Sequence, residues 1–181
     1  MKSIALVIVC LISGYACKPS CDSNAQGFAW GMCLYYHDNS MYGFDELLIN
    51  DTVDTLGKEF HVDMSRLLAR HDIRLSIDEK ISRVGAIGLY SPQDKEIHVQ
   101  YFKNGNRPMM FILVHELLHF MEDVYDIPSE ESMKHTNRNY FGELNSLEIT
   151  IAEEVYEIHG HGMFWYKEDN DNSNQVSEPI D

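Results

Sequence analysis

Basic residues are the scarce class in this chain: 14 Lys and Arg stand against 29 Asp and Glu, giving a formal net charge of -15 over 181 residues. A surface that negative repels phosphate backbones, which argues against nucleic acid as a partner and against electrostatic adsorption to anionic lipid. Long apolar runs are also missing. The longest, Ile4 to Ile12, has nine residues, too few to span a bilayer. No internal repeat is visible, and the four cysteines lack the CxxC pair of a zinc knuckle. What is present, 44% hydrophobic and 11% aromatic residues, is enough for one domain with its own core and hardly for two.

The short apolar run has a different meaning. Lys2 precedes it and Ser13-Gly14-Tyr15-Ala16 follows, with small residues three and one before Cys17. This is the layout of a secretory signal peptide over residues 1–16, so export is expected; the competing reading is a buried N-terminal strand. Cys10 would leave with that segment, and Cys17, Cys21 and Cys33 would remain, an odd number in an oxidising compartment. One solution makes Cys17 the lipid-bearing first residue of a bacterial lipoprotein, anchored to the membrane, with Cys21 and Cys33 paired. Gly14-Tyr15-Ala16-Cys17 resembles a lipobox, with Gly14 where an aliphatic residue is usual. The other solution is ordinary cleavage and a free thiol. The expected location is periplasmic or cell-surface, otherwise secreted.

Residues 17–43 read as a tether and irregular structure, 44–166 as the folded domain, and 167–181 (KEDNDNSNQVSEPID) as a disordered acidic tail. Within the domain, apolar residues from Leu48 to Leu68 form a helical stripe interrupted near Gly57, and Ile73 to Ile77 alternates as a strand does. A hairpin follows: Gly85 to Tyr90, a turn at Ser91-Pro92-Gln93-Asp94, then Glu96 to Tyr101. In the last strand Ile97, Val99 and Tyr101 face one way and Glu96, His98 and Gln100 the other, which puts His98 toward solvent. After Pro108 a helix runs through Met109-Met110-Phe111-Ile112-Leu113-Val114, apolar on every side and therefore buried. A polar connection over 127–139 leads to a second helix over 141–158.

The buried helix continues into His115-Glu116-Leu117-Leu118-His119. Histidines four apart lie one turn apart on one face, where both imidazoles can hold one metal ion. Glu116 points about 100° round the helix from His115 and can instead act on water beside that metal as general base. A chance occurrence of the pattern in a core helix is the plain alternative. It would desolvate three polar side chains, at several kcal/mol unless each finds a partner, and a zinc ion accounts for all three.

With that motif in place, residues 85–158 resemble the zincin metallopeptidases, in which a hairpin edge strand, here Glu96 to Tyr101, precedes the HExxH helix and lines the substrate cleft. The resemblance implies an α+β, zincin-like fold with a small mixed sheet, an active-site helix and a following C-terminal helix. It also implies His115 and His119 as zinc ligands, Glu116 as general base, and a peptide or protein substrate. The metzincin pattern would need Gly at Glu122 and His at Tyr125, and has neither. A gluzincin takes a Glu from a following helix. On the stripe Leu144, Leu147, Ile151, Val155 and Ile158, Glu148 projects near the middle, so Glu148 is the expected third ligand. Competing ligands are His135, Asp126, Glu143 and Glu154. His159 and His161 read as a surface turn, and neither Tyr140 nor Tyr156 is singled out for an oxyanion. The rival from another class is a non-catalytic exported lipoprotein, a binding or immunity-type factor, with structural zinc closed by four protein ligands.

Overall fold

In the strand Glu96–Gln100 alternate side chains disappear from solvent: Ile97 and Val99 are buried, and the residues between them are half-exposed. That period of two, repeated along a sheet, organises the computed structural model, which describes residues 21–36, 45–78, 86–100 and 109–159. Residues 1–20, with the expected signal peptide and Cys17, lie outside that description, as do Tyr101 to Pro108, His161 and the acidic tail. The elements are β1 (Gly27–Ala29), β2 (Met32–Tyr36), α1 (Asp45–Phe60), α2 (Met64–Arg70), β3 (Arg74–Asp78), β4 (Gly88–Ser91), β5 (Glu96–Gln100), α3 (Met109–Val124), α4 (Ser129–Met133) and α5 (Leu147–His159).

The architecture is α+β with a five-stranded mixed sheet in the order β1-β2-β3-β5-β4. The three inner strands are parallel; β1 and β4 run antiparallel to their neighbours at the two edges. Helix α3 lies on β4 and β5, and α1 and α5 pack against α3 and each other. Met110, Leu113, Val114, Leu117, Leu118, Phe120 and Met121 are all buried, as an all-round apolar helix requires. His98 sits on the opposite, polar face of the sheet, with Nδ1 3.1 Å from Asp78 Oδ2.

Several expectations shift. The edge strand of the hairpin is β4, not Glu96 to Gln100, which pairs on both sides with β3 and β4. The hairpin β1–β2 replaces the irregular structure expected before residue 43. Met32, Cys33 and Leu34 are all buried because β2 is an inner strand, and such a strand shows no alternation to read. Its two-residue turn, Trp30-Gly31, has φ of 50° and 88°, the paired positive values of a tight hairpin. Any Cβ on Gly31 would also come 2.0 Å from the Ser65 carbonyl oxygen of α2. The long helical stripe breaks after Phe60 rather than at Gly57, with Asp63 capping α2 through the Arg66 N–H at 2.9 Å. The last helix begins at Leu147, six residues later than expected, so Leu144 is not on its buried stripe and is 90% exposed. The connection over 127–139 contains the short helix α4.

Cys21 and Cys33 form a disulfide that ties the strand-leading segment to the inner strand β2 across a sequence separation of 12. A bridge over a loop of that size contributes about 3 kcal/mol by restricting the unfolded chain. Cys21→Ser should therefore lower the melting temperature under non-reducing conditions; superimposable melting curves for variant and parent would show that the bridge adds nothing to stability.

Candidate metal centre

Helix α3 carries His115 and His119 out of the core toward α4 and α5. Their Nε2 atoms lie 3.2 Å apart. The third nitrogen comes from His135, whose Nε2 is 3.0 Å from that of His115 and 3.2 Å from that of His119. Donors about 2.0–2.1 Å from one ion at near-tetrahedral angles are about 3.3 Å apart, so this triangle has the size of three-quarters of a tetrahedral site. Among the described residues no fourth His, Cys, Asp or Glu joins the group.

The outer nitrogens decide what the inner ones can do. His115 Nδ1 is 2.9 Å from Glu148 Oε1, and an ionised carboxylate only accepts, so the ring proton sits on Nδ1 and Nε2 presents a lone pair. His119 Nδ1 meets Ser132 Oγ at 2.8 Å, with Glu122 Oε2 at 3.4 Å behind it. That arrangement likewise puts the proton outward. The Nε2 lone pairs of His115 and His119, directed at each other across 3.2 Å, repel, and a cation between them removes the conflict; with His135 beside them the donor set fits a metal ion. Burial, with His115 and His135 next, pushes His119 down to about 3, and burial followed by His115 lowers His135, so both rings favour the neutral form that binds metals. Burial disfavours the charged form of Glu148, but the His115 hydrogen bond, the polar surroundings of the imidazoles and the Gly142 N–H outweigh this and hold its pKa below the usual range.

Glu148 thus occupies a place other than the one expected for it: it faces the outer nitrogen of His115, while His135 supplies the third inward-facing nitrogen. The placement of His135 has a local cause. Helix α3 ends with Asp126 at φ 58°, where Asp126 N–H bonds Asp123 O and Ile127 N–H bonds Glu122 O. This closing motif turns the chain into α4. Helix α4 ends in the same way: His135 N–H bonds Ser132 O, Thr136 N–H bonds Glu131 O, and His135 itself takes φ 51°. Glycine is the usual occupant of that left-handed position. Here an imidazole stands there and enters the site. Phe141, buried, packs behind all three rings with centroid distances of 5.0, 4.7 and 4.9 Å to His115, His119 and His135. Of the other candidates, Glu143 pairs with Arg138 at 3.1 Å, and Asp126 and Glu154 are exposed. The side chains of Tyr156 and His159, like His161, lie outside the described residues.

Glu116 turns the other way, toward β4. Gln100 N–H donates to Ile87 O, so Gly88 and Tyr90 are the residues whose backbone groups face away from β5. The Tyr90 N–H reaches the Glu116 carboxylate. Burial raises the pKa of Glu116 to about 7, against the lowering effects of His115 and that N–H. A cation held by the three histidines would pull it down again. The carboxylate fits because position 88 has no side chain: a Cβ there would lie 2.3 Å from Glu116 Oε1 and 2.6 Å from Ile112 Cγ2. A cleft of about 440 Å³ runs along β4 past Glu116 and the three histidines. The contacts of Gly88, Ser132 and Phe141 went unread in the sequence. Only Gly88 had a signal, an isolated glycine within a strand pattern, which marks a close backbone approach.

No protein-family model matches the chain, and no significant similarity is found to a curated protein or to a solved structure.

Gly88→Ala tests the contact directly. Overpacking of this kind costs about 1–3 kcal/mol, and that cost should shrink when Glu116→Ala is present as well. A double-mutant cycle by denaturant unfolding checks it; strictly additive effects would mean that Gly88 and Glu116 do not share the space.

Proposed function

We propose that this protein is a zinc-dependent peptidase of zincin-like design, with His115, His119 and His135 as the metal ligands and Glu116 as the general base. The observation that carries the reading is the convergence of three imidazole nitrogens within 3.0–3.2 Å beside a buried carboxylate that is not one of them. Three protein donors are the number a catalytic zinc site uses, whereas a structural site is closed by four. Among the described residues the group numbers three, which favours the enzyme over the non-catalytic lipoprotein. Zinc bound there supplies Lewis acidity, acidifying water and polarising a peptide carbonyl.

The chain's own residues do the rest. Glu116, held by the Tyr90 N–H, takes a proton from the attacking water and delivers it to the nitrogen of the departing amine. The outward-facing backbone groups of β4 offer an extended peptide a strand to lie against. Glu148 and Ser132 fix the tautomer and orientation of His115 and His119 from behind. Export fits the Cys21–Cys33 disulfide, which belongs to an oxidising compartment. The expected signal peptide and a lipid on Cys17 remain part of the proposal. Among the described residues no helix is long and apolar enough to cross a membrane.

Two variants separate metal binding from proton transfer. Glu116→Gln should keep about one zinc per chain while peptide cleavage falls by about 10²–10⁴-fold. His135→Gly should lose zinc and cleavage while the metal-free protein becomes no less stable, because glycine suits the left-handed backbone better than histidine does. Metal analysis, cleavage of a peptide library and melting of the chelated proteins give the readouts. Undiminished cleavage by Glu116→Gln sinks the mechanism, and full zinc in His135→Gly removes that ligand. Glu148→Gln, which keeps the shape but not the charge behind His115, should weaken zinc affinity by about 10–100-fold in a chelator competition; unchanged affinity would deny Glu148 its supporting role.

A further inference from the structure

The cleft along β4 is not chemically uniform. Leu89, Pro92, Ile127 and Met133 give it apolar walls, and Met133 keeps 65% of its surface exposed although it sits at the rim of the candidate centre. Asp123 also lines it, and its Oδ2 accepts the Tyr90 hydroxyl at 2.8 Å. Tyr90 keeps its proton, since burial first and the Asp123 carboxylate next raise its pKa. The hydroxyl therefore steadies the carboxylate without cancelling its charge. Glu116 is the other carboxylate of the cleft, and it is engaged with β4. Among the described residues that line this cleft there is no Lys or Arg.

We propose that this arm of the cleft selects a Lys or Arg side chain of the substrate, with Asp123 receiving its charge, an inference that rests on the peptidase reading above. Lys and Arg combine an apolar stem with a cationic head, which is the order of surfaces found here. A purely apolar side chain would cover Asp123 without offering it a partner, and an acidic one would be repelled. The net charge of -15 adds a long-range attraction for cationic peptides.

The test is calorimetric titration of zinc-loaded Glu116→Gln protein with hexapeptides that differ only in a central Arg, Leu or Glu. The Arg peptide should bind about twofold to fivefold more tightly than the Leu peptide, the range of a partly screened ion pair, and the Glu peptide most weakly. Adding Asp123→Asn should abolish the Arg advantage. Glu130→Gln removes an equal charge from an exposed position on α4 that does not line the cleft, and should preserve it. Equal affinity for Arg and Leu, no binding of the Arg peptide, or an Arg advantage that survives Asp123→Asn overturns the proposal. The parent protein on the same peptides separates the two levels. Cleavage without preference sinks the subsite alone, and preferential binding without cleavage of any peptide sinks the peptidase reading alone.

Discussion

A buried helix must find partners for any polar group it carries, and helix α3 carries His115, Glu116, His119 and Glu122 from its middle onward. Each must recover from neighbouring elements the hydrogen bonds that water would have given, at stakes of about 1–3 kcal/mol for every group left unmet. Most of the remaining architecture can be seen as the answer to that demand. Helix α5 brings Glu148 to His115, α4 brings Ser132 to His119, and β4 brings the Tyr90 N–H to Glu116. With the outer nitrogens of His115 and His119 held in this way, their inner ones face each other and that of His135 across 3.0–3.2 Å.

The route by which the third histidine arrives follows from how helices end. Helix α3 runs past Glu122 to Val124 and position 125 carries Tyr, so a histidine ligand after an earlier turn at 122, the metzincin pattern, is not open to this chain. Asp126 turns the backbone, and α4 then runs for only five residues before His135 closes it. The short helix behaves as a bracket whose two useful residues, Ser132 and His135, approach the site from the same side. A left-handed histidine costs some backbone energy, and such strain persists where the surroundings hold it in place. Here Phe141 packs against the ring, and the two closing hydrogen bonds hold the backbone.

What could be read in the sequence was whatever depends on local order. The all-round apolar helix, the HExxH spacing, the alternation of Ile97 and Val99, and the pairing of Cys21 with Cys33 all have signals within a dozen residues. Glu148 was legible as a buried carboxylate needing a cationic or donor partner, but not which atom it would meet, because that depends on the register between α3 and α5. The stripe that placed it also counted Leu144, which lies before the first residue of α5, so its angular bookkeeping began outside the helix. The hairpin β1–β2 was illegible for the opposite reason: an inner strand covered on both faces has no period to detect, and Trp30-Gly31 is not a usual turn pair.

Strand β4 has a consequence beyond the site it serves. An edge strand with outward-facing N–H and C=O groups is also a template for another copy of itself, the common route to sheet-to-sheet aggregation. Here the edge is only four residues long, and Glu116 and Asp123 stand along it, one holding a backbone N–H and the other a side-chain hydroxyl. Two molecules meeting edge to edge would bring these carboxylates against each other inside a closing, water-poor seam. The same charges that leave the edge open to a foreign chain of suitable composition thus make it a poor partner for itself.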